Sequence, residues 1–127
     1  KVLSEQPFSV LLGTEVSHMS SGQATLELPL RDDLKQQYGF AHGGVLAYLA
    51  DNALTYAAGT VMPDVLTLEM KVNYMRPGVG ERLVARAEVL SHGKRQAVCH
   101  CKVFAVADGV EKLVAAAQGT IVRMNSA

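Results

Sequence analysis

Hydrophobic positions along the chain follow two periods. In "QATLELPL" (residues 23–30) Ala24, Leu26, Leu28 and Leu30 alternate with Thr25, Glu27 and Pro29, the pattern of a half-buried strand. "TEVSHMS" predicts a strand before it, across the Ser21-Gly22 break. A short helix is expected ahead of both, with Ser4 as N-cap and Gly13 as its stop. After the polar loop "RDDLKQQYGFA", the stretch ending at Gly59 and begun by the pair Gly43-Gly44 is apolar on nearly every side and predicts one long helix.

From Val65 the period returns to two. "VLTLEMKVNYM" places Leu66, Leu68, Met70, Val72 and Tyr74 on one face and Thr67, Glu69, Lys71, Asn73 and Met75 on the other. The turn "PGVG" leads into "ERLVARAEVL", where Leu83, Ala85, Ala87 and Val89 share a face, and "SHGK" leads into "RQAVCHCKVFAVA". Asp108-Gly109 is a hairpin signal before "VEKLVAAAQGTIVRM". Two strands, a helix and four strands joined by short links predict an α+β domain over residues 1–127, with an antiparallel sheet on a single helix. A sheet covers one side of such a helix; with no other long helix in the sequence, a second copy of the chain is the expected cover for the rest.

The 127 residues include 12 basic and 12 acidic side chains, for a formal net charge of zero. No basic run or surplus is present, which argues against a nucleic-acid partner. The apolar stretch Gly43 to Met62 contains Asp51, Asn52 and Thr55 and lacks basic flanks, so a buried helix is expected, not a membrane span. The opening "KVLSEQPFSVLLG" does not read as a secretory signal, and it starts on Lys, as a trimmed chain would. Cys99 and Cys101 flank His100 in a strand, pointing to the face opposite His100, which suits neither a metal site nor a disulfide. Two reduced core thiols, a cytoplasmic location and no metal are expected.

With histidine neutral, Asp51 is the only formal charge between Lys35 and Asp64. Its helical neighbours Ala47, Tyr48, Leu54 and Thr55 include no cation, so burial is expected to raise its pKa unless a distant partner intervenes. Either Asp51 sits at the helix's one wet edge beside Asn52 and Thr55, or it has a chemical task. Gly43 and Gly44 stand where the first N–H groups of the helix lack intrahelical acceptors, a place suited to a developing negative charge; alternatively they only permit a tight turn. Eight residues separate Gly43 from Asp51, about 12 Å along a helix. One reacting carbonyl cannot touch both on the same helix, so a shared site requires the Gly43 of one chain and the Asp51 of another.

"AHGGVLAYLADNA", "LTLEMKVNYMRPG" and "HGKR", in this element order, resemble the hotdog-fold acyl-CoA thioesterases, and most of all the phenylacetate-pathway branch, over about Leu34 to Met124. The resemblance implies a hotdog fold, a curved antiparallel sheet wrapped around one long central helix, in dimers that often pair into tetramers with sites at the subunit interface. It implies hydrolysis of an aryl or aliphatic acyl-CoA, in which the Gly43 N–H polarises the thioester carbonyl. Asp51 of the other chain would be general base or nucleophile. Gln36 matches a family position near the carbonyl, His42 one that arranges the substrate end, and Thr67 one that holds the water or the acid. Gly44 and Thr55 fall among substrate-binding positions.

No cofactor is implied, coenzyme A being part of substrate and product. Its phosphates call for cations on loops, and Arg76, Lys94 and Arg95 are placed for this, or are simply solvated. A hotdog-type acyl-CoA hydratase or dehydratase and a non-catalytic acyl-CoA sensor are the alternatives; "HGGV" followed by Asp51 fits hydrolysis better than hydration, and a sensor's DNA-binding segment is not apparent.

Overall fold

The structure, a computed structural model, describes residues 3–124. A 3-10 turn at Leu3–Glu5 precedes α1 (Pro7–Leu12), β1 (Glu15–Ser20) and β2 (Gln23–Pro29); α2 (Gly43–Gly59) is followed by β3 (Val65–Tyr74), β4 (Arg82–His92), β5 (Gln96–Ala107) and β6 (Val110–Arg123). Every neighbouring pair is antiparallel, in the order β1-β2-β4-β5-β6-β3, so β1 and β3 are the edges. The period-two segments all form the strands they predict. α1 begins two residues later than expected: Pro7 occupies the first turn and Gln6, not Ser4, stands at the N-cap, because proline fixes a helical φ there. Gly13 ends the helix in the left-handed conformation, as its position predicts.

The sheet holds α2 through the inward residues of each strand. Leu26, Leu28, Leu83, Ala85, Cys99, Cys101, Val103 and Ile121 meet Leu46, Leu49, Ala50, Ala53, Leu54, Ala57 and Ala58 in one core. Many of these contacts are alanines, which lets the helix lie close against the sheet. Helix positions 45, 47, 48, 51, 52, 55 and 56 are only half-buried. The sequence offered no intrachain cover for that side, yet α1 supplies part of it: the rings of Phe8 and Tyr48 meet edge to face, 5.1 Å apart at 88°.

β3 departs from the predicted alternation. Its register with β6 shifts between Thr67 and Glu69, which pair with the consecutive residues Ile121 and Thr120, so Leu68 is an extra residue. The bulge exchanges the faces. Leu66 and Leu68 are 54% and 64% exposed and do not share the half-buried face of Met70 and Val72, whereas Val65 and Thr67 turn toward the helix.

The β3–β4 connection is pinned at Gly80, whose φ is 149° and whose added Cβ would lie 2.2 Å from the Val106 carbonyl oxygen. Backbone cannot yield there as a flexible side chain would. Gly80→Ala is expected to destabilise the fold by at least about 2 kcal/mol, read as a lower urea midpoint at unchanged m-value.

Candidate active site

Asp51 lies at the middle of α2, half-buried, and its carboxylate accepts a hydrogen bond from the Thr67 hydroxyl. That contact follows from the β3 bulge, since unbroken alternation would turn Thr67 away from the helix. The carboxylate opens onto a groove of about 580 Å³ whose walls include Thr55, Tyr56, Met62, Val65 and Thr67. On its other side a depression of about 360 Å³ is bounded by Gln6, Phe8, Tyr48 and Asn52. The Thr55 hydroxyl donates to the Asn52 carbonyl at 2.8 Å, which holds the side chain against its own helix at the rim of both.

The helix start forms a second, separate centre. His42 is the N-cap, and its Nδ1 accepts from the Gly44 N–H at 2.9 Å. A ring nitrogen that accepts carries no proton, so neutral His42 is protonated on Nε2. The cap takes the Gly44 N–H and leaves the Gly43 N–H without an acceptor among the described residues. Tyr74, at the far end of β3, reaches the Gly43 carbonyl at 3.4 Å. Gln36 lies in the preceding loop, where its side-chain oxygen accepts from the Tyr38 N–H and its backbone N–H donates to Phe40 at 2.8 Å. The loop is tied to the helix start through His42 N–H to Leu34 carbonyl, 2.9 Å.

Within one chain the expected residues therefore fall into two groups. His42, Gly43 and Gly44 gather at the helix start, with Gln36 on the loop leading into it; Asp51, Thr55 and Thr67 gather at mid-helix. Arg76 follows β3 on the helix-start side. Lys94 and Arg95 occupy the β4–β5 turn at the other end of the sheet, where the Arg95 carbonyl accepts from Arg123, the β6 residue paired with Val65.

The sequence reading missed a polar network beside Asp51. The Tyr48 hydroxyl lies 2.7 Å from both Ser9 Oγ and Thr14 Oγ1, and Asn52 Nδ2 donates to Ser9 at 3.1 Å and to Tyr48 at 3.2 Å. Ser9 in turn donates to Gln6 Oε1 at 3.0 Å. That last bond sets the proton order: Tyr48 donates to Ser9, and Thr14 donates to Tyr48. Tyr48 and Asn52, one turn apart in a largely apolar helix, were the available signal; nothing local marked Ser9, which is 2% exposed. Cys99 and Cys101 are free and buried, and burial pushes their thiols up to about 11 and about 12. His100 points to the other face, 2.6 Å from Glu88.

A six-stranded antiparallel sheet closed on one helix, with a lone carboxylate at mid-helix, is the hotdog architecture of thioester hydrolases. The chain belongs to the Thioesterase superfamily, whose family model matches residues 38–112. A thioesterase family protein from Silicibacter pomeroyi has the same fold with a TM-score of 0.93 at 35% identity, covering 95% of this chain and 91% of that one. The N33D variant of the phenylacetic acid degradation protein PaaI from Thermus thermophilus superimposes with a TM-score of 0.82 at 37% identity, covering 94% and 100%. The 1,4-dihydroxy-2-naphthoyl-CoA hydrolase of Listeria monocytogenes is 31% identical over 87% of this chain and 89% of its own length. The chain is a thioester hydrolase with relatives in the PaaI branch.

Two outcomes are expected. Tyr48→Phe removes the hub of the network and leaves buried polar partners unmatched, costing about 1–3 kcal/mol in urea unfolding. Because both cysteine pKa values lie well above pH 8, the native protein should not react with a colorimetric thiol reagent at that pH, whereas two thiols per chain should titrate after denaturation.

Proposed function

We propose that the protein hydrolyses an acyl-CoA thioester at a site shared by two copies of the chain, needing no cofactor. The observation that carries this reading is the division of the site: a carboxylate anchored by Thr67 and a Gly43 N–H unmatched among the described residues stand about 12 Å apart along one rigid helix. β3 runs beside that helix, with Thr67 at the Asp51 end and Tyr74 at the Gly43 end. Its outer edge has no partner strand among the described residues, and Leu66 and Leu68 are exposed along it. Antiparallel pairing of β3 with its copy about a two-fold axis would bring each Gly43 toward the other chain's Asp51. It would also bring Arg76 of one chain toward the end of the sheet where the other carries Lys94 and Arg95, giving cations from both chains for the phosphates of coenzyme A.

In this site the Asp51 carboxylate, held by Thr67, takes a proton from water, and the hydroxide attacks the thioester carbon. Charge builds on the carbonyl oxygen, which accepts from the Gly43 N–H at the positive end of the helix dipole. The C–S bond then breaks, and the thiolate leaves without needing a strong acid. Direct attack by the carboxylate would form an anhydride instead. Single turnover in oxygen-18 water tests for that route: water attack on the Asp51 carbonyl of the anhydride labels Asp51, whereas direct attack of water on the thioester does not. His42 would help arrange the substrate end and Gln36 would stand near the carbonyl, while Gly44 and Thr55 shape the surface around it.

Thiol release from a series of aryl- and alkanoyl-CoA esters tests the reading. Asp51→Asn is expected to lower kcat at least 100-fold. Gly43→Ala, whose Cβ would lie 3.6 Å from Tyr74, keeps the N–H and should retain most activity. Gly43→Pro deletes that donor at a helix position where proline is tolerated and should lose about 100-fold, the value of roughly 3 kcal/mol for one oxyanion donor. Mixing inactive Asp51→Asn and Gly43→Pro chains by refolding should restore about a quarter of wild-type activity, because half the dimers are mixed and each has one intact site. No recovery in confirmed mixed dimers would place both groups in one chain's site and sink the proposal.

A further inference from the structure

The β3 bulge turns Thr67 onto Asp51, yet nothing in the alternation of β3 itself calls for a bulge. Its cause lies in the strand beside it. On β6, Ile121 stands opposite Thr67, Thr120 opposite Glu69 and Gly119 opposite Met70. Ala117, Gly119 and Ile121 form a buried row on the helix side of β6, and Gly119 alone in that row has no side chain. A Cβ added there would lie 2.7 Å from the Glu69 carbonyl oxygen, 3.2 Å from Leu54 Cδ1 and 3.4 Å from Met70 Cα. A glycine within a strand marks such a place, where another backbone comes too close for any side chain.

Two elements of the site converge on the space that Gly119 leaves free. One is the β3 backbone at Glu69, two residues after Thr67; the other is α2, through the fully buried Leu54, three residues after Asp51. The end of a leucine can turn aside, but the Glu69 carbonyl moves only if its strand moves. On the outer face the same bulge is fastened by a side chain. The Thr120 hydroxyl donates to Glu69 Oε2 at 2.7 Å, across the register pair that follows the extra residue Leu68. Consecutive β6 residues thus receive the bulge from both sides of the sheet, with room on the inside and a clasp on the outside. A larger residue at position 119 pushes β3 away from α2 or toward regular alternation, and either movement withdraws the Thr67 hydroxyl from the carboxylate.

We propose that Gly119 and Thr120 are positioning residues for hydrolysis, which hold the β3 bulge and so keep Thr67 against Asp51. The inference rests on the reading of Asp51 as the hydrolytic carboxylate. Both residues act through Thr67, so their effect on the reaction depends on the Thr67 hydroxyl being present.

Thiol release is compared for single and double variants, with rates taken per folded chain from the urea unfolding of each. Thr67→Ala is expected to lower kcat about tenfold, the size of one hydrogen bond to a charged group, with KM within about twofold of wild type. Gly119→Ala should match it in both constants and cost nothing more when combined with it, because the contact it disturbs is already gone. Thr120→Val should give a smaller drop of the same kind, absent in Thr67→Ala chains. Losses that multiply in the double variants, or a raised KM at unchanged kcat, would overturn the proposal. NMR of threonine methyl groups reads the contact without substrate, the Thr67 signal being assigned by its disappearance in Thr67→Ser. In Gly119→Ala and Thr120→Val that signal should move toward its position in Asp51→Ala, where the hydroxyl has lost its partner; a signal fixed in both variants would sink the proposal. Should Gly119→Ala fail to fold, Thr120→Val, a change on the outer face, decides it by both readouts. A Thr67 signal that moves as expected, together with full activity in Asp51→Asn, would refute the hydrolytic reading and leave the positioning of Thr67 standing.

Discussion

A helix cannot be shortened, and the arrangement of this protein follows from that. Gly43 and Asp51 lie on the same 17-residue helix, whose buried side is fixed against the sheet by Leu46, Leu49, Leu54 and a set of alanines. No side-chain movement brings a mid-helix carboxylate to a backbone N–H two turns away. On the proposed reading, the chain prepares each half separately. His42 takes the Gly44 N–H and leaves that of Gly43 unmatched among the described residues, while Thr67 anchors Asp51. Both anchors precede any encounter with substrate, so little reorganisation remains for the reaction itself.

Most of the architecture was legible because it rests on periodicity. The shift from period two to an all-round apolar helix and back marked every strand, and the single carboxylate in the helix marked the candidate centre. What was not legible depended on contacts between distant segments. The bulge at Leu68 leaves no trace in the alternation of "VLTLEMKVNYM"; only pairing with β6 reveals that Thr67 turns inward and that Leu66 and Leu68 turn out. The same holds for Ser9, an ordinary serine in a short helix until Tyr48, 39 residues away, meets its hydroxyl. Resemblance drew attention to Thr67, but the backbone irregularity supplies the physical reason for its contact with Asp51.

The polar residues of α2 divide between protein partners and open surface. Tyr48 and Asn52 face α1 and are satisfied by protein partners, so they fasten the N-terminal segment to the half-buried side of the helix. Asp51 and Thr55 border the open depressions instead. Adjacent positions on a helix differ by 100° in direction, so a single residue step separates structural fastening at Asn52 from a groove-facing carboxylate at Asp51. α1 accordingly does more than cover apolar surface: through Gln6 and Phe8 it builds one wall beside Asp51.

The two edges of the sheet explain why association would be directed to one side. β1 has six residues, mostly polar, and its pairing is interrupted by a bulge between Val16 and His18. Short, irregular edges of this kind resist pairing with another sheet. β3 has ten residues and carries exposed Leu66 and Leu68. The outer face offers little competition: Arg86 makes two hydrogen bonds to Glu111, at 2.8 and 2.6 Å, and also covers the Phe104 ring, while His100 meets Glu88. These cross-strand partners satisfy one another and present a charged surface to water. The edge with unmatched backbone and exposed leucines is therefore the one beside Asp51 and Gly43. On this reading, the pairing that relieves the edge also completes the catalytic site.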